Sequence, residues 1–460
     1  MNILYIGGGF VGACSAAVSA DSGHETLVFD IDKKKIAALS SGDRDTIESC
    51  LFEEGLGDLI IRNQERLTFT TDYRAVEKFL DTCDAVFMCL PTPEIGETGE
   101  SDLTYYFNAA KKLAENLAKR NSSQQTKHIV IVNKSTVPIT MVDQTDEIIQ
   151  SAGVKNYGIV SNPEFLVEGK AIEGSIRPDR VVVGAWKEED FAVMRQVYER
   201  FYNSSTVKYV ETNPKEAAAG KLLANFYLFN KLAICFDVIG RTTEAFSDIQ
   251  FENIRKILTT DPRIGTWGLY DSLYAGGSCF IKDARSLSHQ LQTAGHNAVL
   301  VNETYLANKR QLELFLGRAQ AEAKFDWTGK TVALLGLAFK QGTNDIRNSP
   351  SIDIAHFVLE NQAKKINLYD PVAGASFKQF FPDSKQVEYS VDEMKAVENA
   401  DVIIIATDWP QFRSLADTLL KAGSGAKPLL MDGRRMLQHC YTDLQQAGFS
   451  IIAIGSPFIK

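Results

Sequence analysis

The sequence predicts an α/β protein in which two Rossmann-like, doubly wound domains are joined by a long central helix and a helical dimerisation segment. Three observations carry that expectation. A short apolar strand at residues 2–6 runs into Gly7-Gly8-Gly9-Phe10-Val11-Gly12, then a small-residue helix, then a second strand ending on Asp30. The same order of strand, glycine turn, helix and acid-ended strand returns between residues 330 and 370. Between the two lies a mostly apolar stretch, residues 215–246, interrupted by Lys221, Asn225, Asn230, Lys231 and Asp237. The expected domains are residues 1–205, 206–322 and 323–460.

A chain of 460 residues has room for two or three cores. Its 49 basic residues against 58 acidic ones leave a net charge of −9, which excludes the broad basic field that nucleic acid requires. An anionic ligand must therefore be held by local clusters of cations. The seven cysteines contain no CxxC pair, which argues against a disulfide framework or a thiolate metal site and fits a reducing cytosol. No metal is expected. The chain enters its first strand without a basic leader, and its apolar runs fall short of 18 residues. Neither a signal peptide nor a membrane span is expected.

In the first domain Gly7, Gly9 and Gly12 make a GxGxxG turn, and Asp30 follows Gly7 by 23 positions. Strand, turn, helix and acid together predict a dinucleotide site, with the pyrophosphate at the helix start and Asp30 on a ribose. Asp30 favours NAD over NADP, because a 2′-phosphate would meet its charge. Strands at 84–90 and 129–133 end in the polar loops Pro91-Thr92-Pro93 and Lys134-Ser135-Thr136-Val137-Pro138. Ligands of doubly wound sheets sit beyond such strand ends. Thr136, just before Pro138, also reads as a helix N-cap. A strand at 157–161 leads into Asn162-Pro163-Glu164-Phe165-Leu166-Val167-Glu168-Gly169. Glu164 and Glu168 either form a solvated face or look toward cofactor and substrate. Strands at 180–183 and 207–210 close the domain.

Thr212-Asn213-Pro214 starts the central helix. Its polar interruptions make it too polar to cross a membrane, and its length suits a spine and subunit interface. Lys221 and Asn225 share a face; they are either polar punctuation on its exposed side or part of a site. Further on comes Gly276-Gly277-Ser278-Cys279-Phe280-Ile281-Lys282-Asp283. Its glycines allow close approach of a ligand. A helix beginning near Cys279 would, with Lys282, favour the thiolate, and Asp283 could orient or deprotonate water. Taken alone, the string fits a glycine turn with a buried cysteine better. In the last domain Lys340, Arg347, Arg434 and Arg435 fall on loops and suit a nucleotide diphosphate.

In order, GGGFVG, the Asp30 strand end, PTP, KSTVP, NPEFLVEG, the Lys221/Asn225 helix, RIG, GGSCFIKD, GLAFK, NDIRNSPS, YDP and DGRR span nearly the whole chain. In these motifs the sequence resembles the nucleotide-sugar 6-dehydrogenases, its UDP-glucose-oxidising members most of all. The resemblance implies a four-electron oxidation of UDP-glucose to UDP-glucuronate with NAD, through a thiohemiacetal and a thioester on Cys279. Lys221 and Asn225 would stabilise oxyanions, Asp283 would order or activate water, and Thr136 and Glu164 would serve proton transfer. Gly7, Gly9, Phe10, Val11, Gly12, Asp30, Lys35, Thr92, Ser135, Thr136, Glu168, Lys282 and Arg347 would line the cofactor site. The sugar nucleotide would meet Glu164, Phe165, Leu166, Lys221, Asn225, Gly276, Phe280, Phe339, Lys340, Arg434 and Arg435. Arg263 would reach across a homodimer, or a higher homo-oligomer, into the neighbouring site.

Tyr274-Ala275 stands where the family usually has Gly-Phe, in a loop expected to touch the nucleotide sugar, so affinity or sugar choice should change there. Phe165 favours a UDP-hexose over N-acetylated sugars. The alternatives are the same reaction on a UDP-N-acetylhexosamine or GDP-mannose, or a two-electron dehydrogenase of the hydroxyacid type, which has no use for Cys279.

Overall fold

The computed structural model describes residues 1–120, 127–270, 272–421 and 426–460. The chain divides into two compact units, Met1–Ala224 with His289–Gly295, and Asn225–Ser288 with His296–Lys460. The first holds strands β1 (Asn2–Ile6), β2 (Glu25–Phe29), β3 (Leu67–Thr70), β4 (Ala85–Met88), β5 (Ile129–Asn133), β6 (Tyr157–Ser161), β7 (Arg180–Gly184) and β8 (Lys208–Thr212). They form one sheet in the order β3-β2-β1-β4-β5-β6-β7-β8. The β6–β7 step is antiparallel, through Ser161 and Gly184. The second unit holds β9 (Thr331–Leu335), β10 (Lys365–Tyr369), β11 (Val387–Tyr389), β12 (Val402–Ile405), β13 (Leu429–Asp432) and β14 (Ile451–Ala453). Their order is β11-β10-β9-β12-β13-β14. Each sheet thus reverses direction beside its first strand, the switch point where a doubly wound sheet binds ligands.

Alternation along the strands builds a core on each face of each sheet. On β1, Ile3 and Tyr5 enter one cluster and Leu4 and Ile6 the other. On β9, Val332 and Leu334 face one way and Ala333 and Leu335 the other. With both faces covered, these strands read as continuous apolar runs, which is why they were legible.

The central helix starts at Pro214 as expected, with Asn213 Oδ1 accepting the Glu216 N–H at 2.9 Å. It runs to Ala233, passes through a π-helical stretch at Ile234–Ile239 and ends at Ala245. The expectation that it is too polar to cross a membrane does not hold by length and composition alone: its best window reaches a mean hydropathy of 1.5. A share of 39% of that window is buried within the protein, and Lys221 and Asn225 lie among the buried residues. The apolar surplus sits on one outward stripe, Leu223, Tyr227, Ile234 and Val238, exposed by 45 to 66%.

Candidate active site

In the first unit the glycine turn is shaped by sterics. A Cβ on Gly7 (φ +104°) would lie 2.2 Å from the Cys89 carbonyl oxygen, and one on Gly12 1.9 Å from that of Gly7. Nothing lies within 4 Å of the corresponding point on Gly9, which precedes the helix Phe10–Asp21. The turn therefore packs tightly on its inner side and leaves the helix start open to a phosphate, with Phe10 and Val11 half-buried in the first helical turn. Asp30 Oδ2 accepts the Gly8 N–H at 2.7 Å, which aims the carboxylate at this turn, and Lys35 Nζ pairs with the same oxygen at 2.9 Å. The residues present fit NAD.

The polar loops after β4 and β5 are stitched together. Thr92 Oγ1 donates to the Thr136 carbonyl at 2.9 Å, and Ser135 Oγ to that of Leu90 at 2.6 Å. Thr136 is not a helix cap: the next helix is Met141–Ser151, with Thr140 at its cap position. Glu164 accepts the Leu166 N–H at 2.5 Å, and its other oxygen lies 3.3 Å from Lys221 Nζ. Lys221 is 4% exposed, so its placement on an exposed helix side is excluded. Phe165 is flanked by Arg180 at 3.9 Å and Lys221 at 5.2 Å from its ring. A cavity of about 10 Å³ lined by Ser135, Thr136, Pro163 and Lys221 matches a single water. Glu168 is half-buried at the far end of this loop. The loop is pinned there by Glu53, which accepts the N–H groups of Gly169 and Ala171 at 2.5 and 2.9 Å.

In the second unit Cys279 is exposed and directly precedes the helix Phe280–Thr293, its carbonyl accepting the Asp283 N–H at 2.9 Å. The buried-cysteine alternative is thereby excluded. One turn on, Asp283 is 1% exposed and accepts from Asn225 Nδ2 and Lys282 Nζ, each at 2.6 Å. Phe280 stacks on Phe229 with ring centroids 6.3 Å apart. The paired glycines admit the protein's own atoms: a Cβ on Gly276 would lie 2.5 Å from the Asn348 carbonyl oxygen, and one on Gly277 2.8 Å from the Phe339 ring. Tyr274 turns inward, its hydroxyl donating to Asp353 at 2.9 Å, and Asn308 clamps both backbone groups of Ala275 at 2.7 and 3.2 Å.

The four cations of the last domain separate into two kinds. Lys340 lies half-buried over the Phe339 ring, and the exposed Arg347 forks onto Asp345 at 2.6 Å. Arg434 is held by Asp408 at 2.9 Å and Ser272 at 3.0 Å. Burial pushes the Asp408 carboxyl up, but Arg434 outweighs it and keeps it below the usual range. Arg435 adopts φ +48° and donates to the Ile454 carbonyl at 3.0 Å and to Ser456. Arg263 is 87% exposed and paired with Asp261 at 2.6 Å. Sequence reasoning gave no role to Lys134, Asn162, Tyr198, Asn308, Asp353 or Asp408. For Lys134 a signal was present: a lysine directly after the fully buried strand β5 needs a polar partner indoors.

Three models of the UDP-glucose/GDP-mannose dehydrogenase family match in sequence order: the NAD binding domain at residues 1–202, the central domain at 215–310 and the UDP binding domain at 333–439. The chain is 32% identical to the UDP-glucose 6-dehydrogenase of Pseudomonas aeruginosa over 99% of its length and 98% of that protein's. It is 34% identical to UDP-glucose 6-dehydrogenase AglM of Haloferax volcanii, covering 95% and 97% of the two chains. Among solved structures, a UDP-glucose dehydrogenase from Pyrobaculum islandicum superposes with a TM-score of 0.83 at 26% identity, covering 95% and 94%. Two doubly wound sheets, a dinucleotide turn and an exposed cysteine heading a helix thus coincide with full-length relatives, and the chain belongs to the UDP-glucose/GDP-mannose dehydrogenase family.

Proposed function

We propose that this enzyme oxidises the C6 alcohol of UDP-glucose to the carboxylate of UDP-glucuronate. The observation that carries the full four-electron reaction is the exposed Cys279 thiol one turn from the buried Asp283–Asn225–Lys282 cluster. A two-electron dehydrogenase has no use for such a thiol. NAD, when bound, accepts a hydride in each of two successive steps. Glu164 and Thr136 pass the alcohol proton on through a water in the small cavity between their loops. Cys279 adds to the resulting aldehyde as a thiohemiacetal, whose oxidation leaves a thioester. Asp283 orients the water that hydrolyses it, releasing the carboxylate and returning the thiol. One sugar nucleotide, two NAD and one water give one carboxylate, two NADH and three protons.

Lys221 and Asn225, one turn apart on one helix face, act as the donors to the oxyanions that form at C6. Lys340 and Arg347 serve the nucleotide phosphates and the cofactor, while Arg434 acts through its hold on Asp408 and Ser272. We assign the apolar stripe on the central helix to a homodimer interface, which would place the exposed Arg263 within reach of a partner's site. None of the seven cysteines is joined in a disulfide, which supports a reducing cytoplasm. The decisive assay follows NADH across a panel of UDP- and GDP-sugars. Two NADH per UDP-glucose, with GDP-mannose and UDP-N-acetylhexosamines poor, is the expected result; one NADH per sugar would overturn the four-electron reaction.

A further inference from the structure

Behind the loop that carries Glu164 lies a cavity of about 320 Å³, lined by Lys134, Glu164, Phe165, Leu166, Lys170 and Tyr198 among others. Apolar packing on that side of the loop is therefore interrupted, with Leu166 reaching the core beside the void, and a polar bracket supplements it. Lys134, 7% exposed, donates from Nζ to Asn162 Oδ1 at 3.0 Å and to the Tyr198 hydroxyl at 3.3 Å. Tyr198 donates to the same Asn162 oxygen at 2.5 Å, and Asn162 Nδ2 to the Val182 carbonyl on β7 at 2.7 Å. Lys134 stands two residues before Thr136, and Asn162 two residues before Glu164.

Resting on the roles given above to Thr136 and Glu164, we propose that Lys134 is a positioning residue that locks their two loops at one spacing through Asn162 and Tyr198. A buried amine hydrogen-bonded to neutral groups is an expensive way to fill space: burial brings Lys134 down to about 8, against a smaller upward pull from Cys89 and Glu164. Apolar residues would serve packing better. What the amine adds is direction, since it fixes the Asn162 carboxamide at the root of the Glu164 loop. Displacement of a catalytic group by about an ångström costs roughly a hundredfold in rate.

The test is steady-state kinetics with UDP-glucose and NAD on Lys134→Met, Tyr198→Phe, Glu164→Gln and the Lys134→Met/Glu164→Gln double variant, with thermal melting alongside. Lys134→Met is expected to lose roughly ten- to a hundredfold in kcat. Both KM values should stay within about threefold, because K134M removes orientation of a transition-state group and not substrate contacts. In the Glu164→Gln background the same change should cost almost nothing, because Lys134 acts through Glu164. Unchanged kcat in Lys134→Met, or a loss that multiplies with that of Glu164→Gln, would overturn the positioning role. Tyr198→Phe keeps the ring and decides the matter should Lys134→Met fail to fold: a kcat loss absorbed by Glu164→Gln supports the bracket, and none refutes it. Full activity in Glu164→Gln alone would instead strike at the proton-transfer role of Glu164.

Discussion

Two residues place the heaviest demands on their surroundings, and they differ in what the fold spends on them. Cys279 is exposed, with Ser278 Oγ 3.7 Å from its sulfur, so its removal should leave the architecture alone. Cys279→Ala is expected to bind NAD with wild-type affinity by calorimetry while NADH production falls to the background rate; collapse of NAD binding would mark the thiol as structural. Lys134 is the opposite case. Burial brings it down to about 8, whereas an unfolded lysine sits near ~10.4. Between those values the unfolded chain holds more protons than the folded one, so the lysine's contribution to stability rises with pH across that window. Below about 8 both states are protonated and the full cost of burying the charge is felt. Urea unfolding of wild type and Lys134→Met should therefore diverge in favour of wild type on going from about pH 7.5 to about pH 10. A gap that stays constant with pH would mean that the lysine remains charged in the fold.

At the scale of elements, the loop 272–279 shows why some of the site was legible and some was not. Strands β1, β4, β5 and β12 are continuous apolar runs, so periodicity and the glycine turn disclosed them; β11 and β14 are three residues long and left no readable pattern. Motifs singled out Cys279, Glu164 and Lys221 as candidates, because their chemistry is written in residue type. Partners distant in sequence were invisible: nothing near Tyr274 points to Asp353, nor anything near Ala275 to Asn308. From sequence, Tyr274-Ala275 is expected to alter affinity or sugar choice; the Tyr274 hydroxyl is turned to Asp353 and its ring lies in the core of the second unit. Tyr274→Phe should accordingly lower stability by about 1 kcal/mol and leave the order of sugar preference unchanged. Tyr274→Gly, which empties the ring's place, should cost several-fold more, about 3–5 kcal/mol. Calorimetric melting and the sugar panel check both, and a shift in preference with Tyr274→Phe would return the residue to the substrate site.

At the scale of the whole molecule, the central helix presents Leu223, Tyr227, Ile234 and Val238 outward along one stripe. In the proposed homodimer a second copy would cover this row with the same stripe under two-fold symmetry. Tyr227→Glu combined with Val238→Glu should convert a dimer to a monomer in light scattering, since each buries a charge at the seam. The proposed dimer also makes a sharper claim testable, that Arg263 serves the partner's site and not its own. If it does, Arg263→Ala and Cys279→Ala lie in different halves of each site. In a mixed dimer, the subunit that keeps Cys279 then receives the intact Arg263 from its neighbour, while the other site carries both lesions. Co-expression with random pairing makes half of the dimers mixed and half of their sites whole, so activity should recover to about a quarter of wild type. Each variant alone should stay far below that. Failure to complement, with dimers confirmed by light scattering, would assign Arg263 to its own subunit.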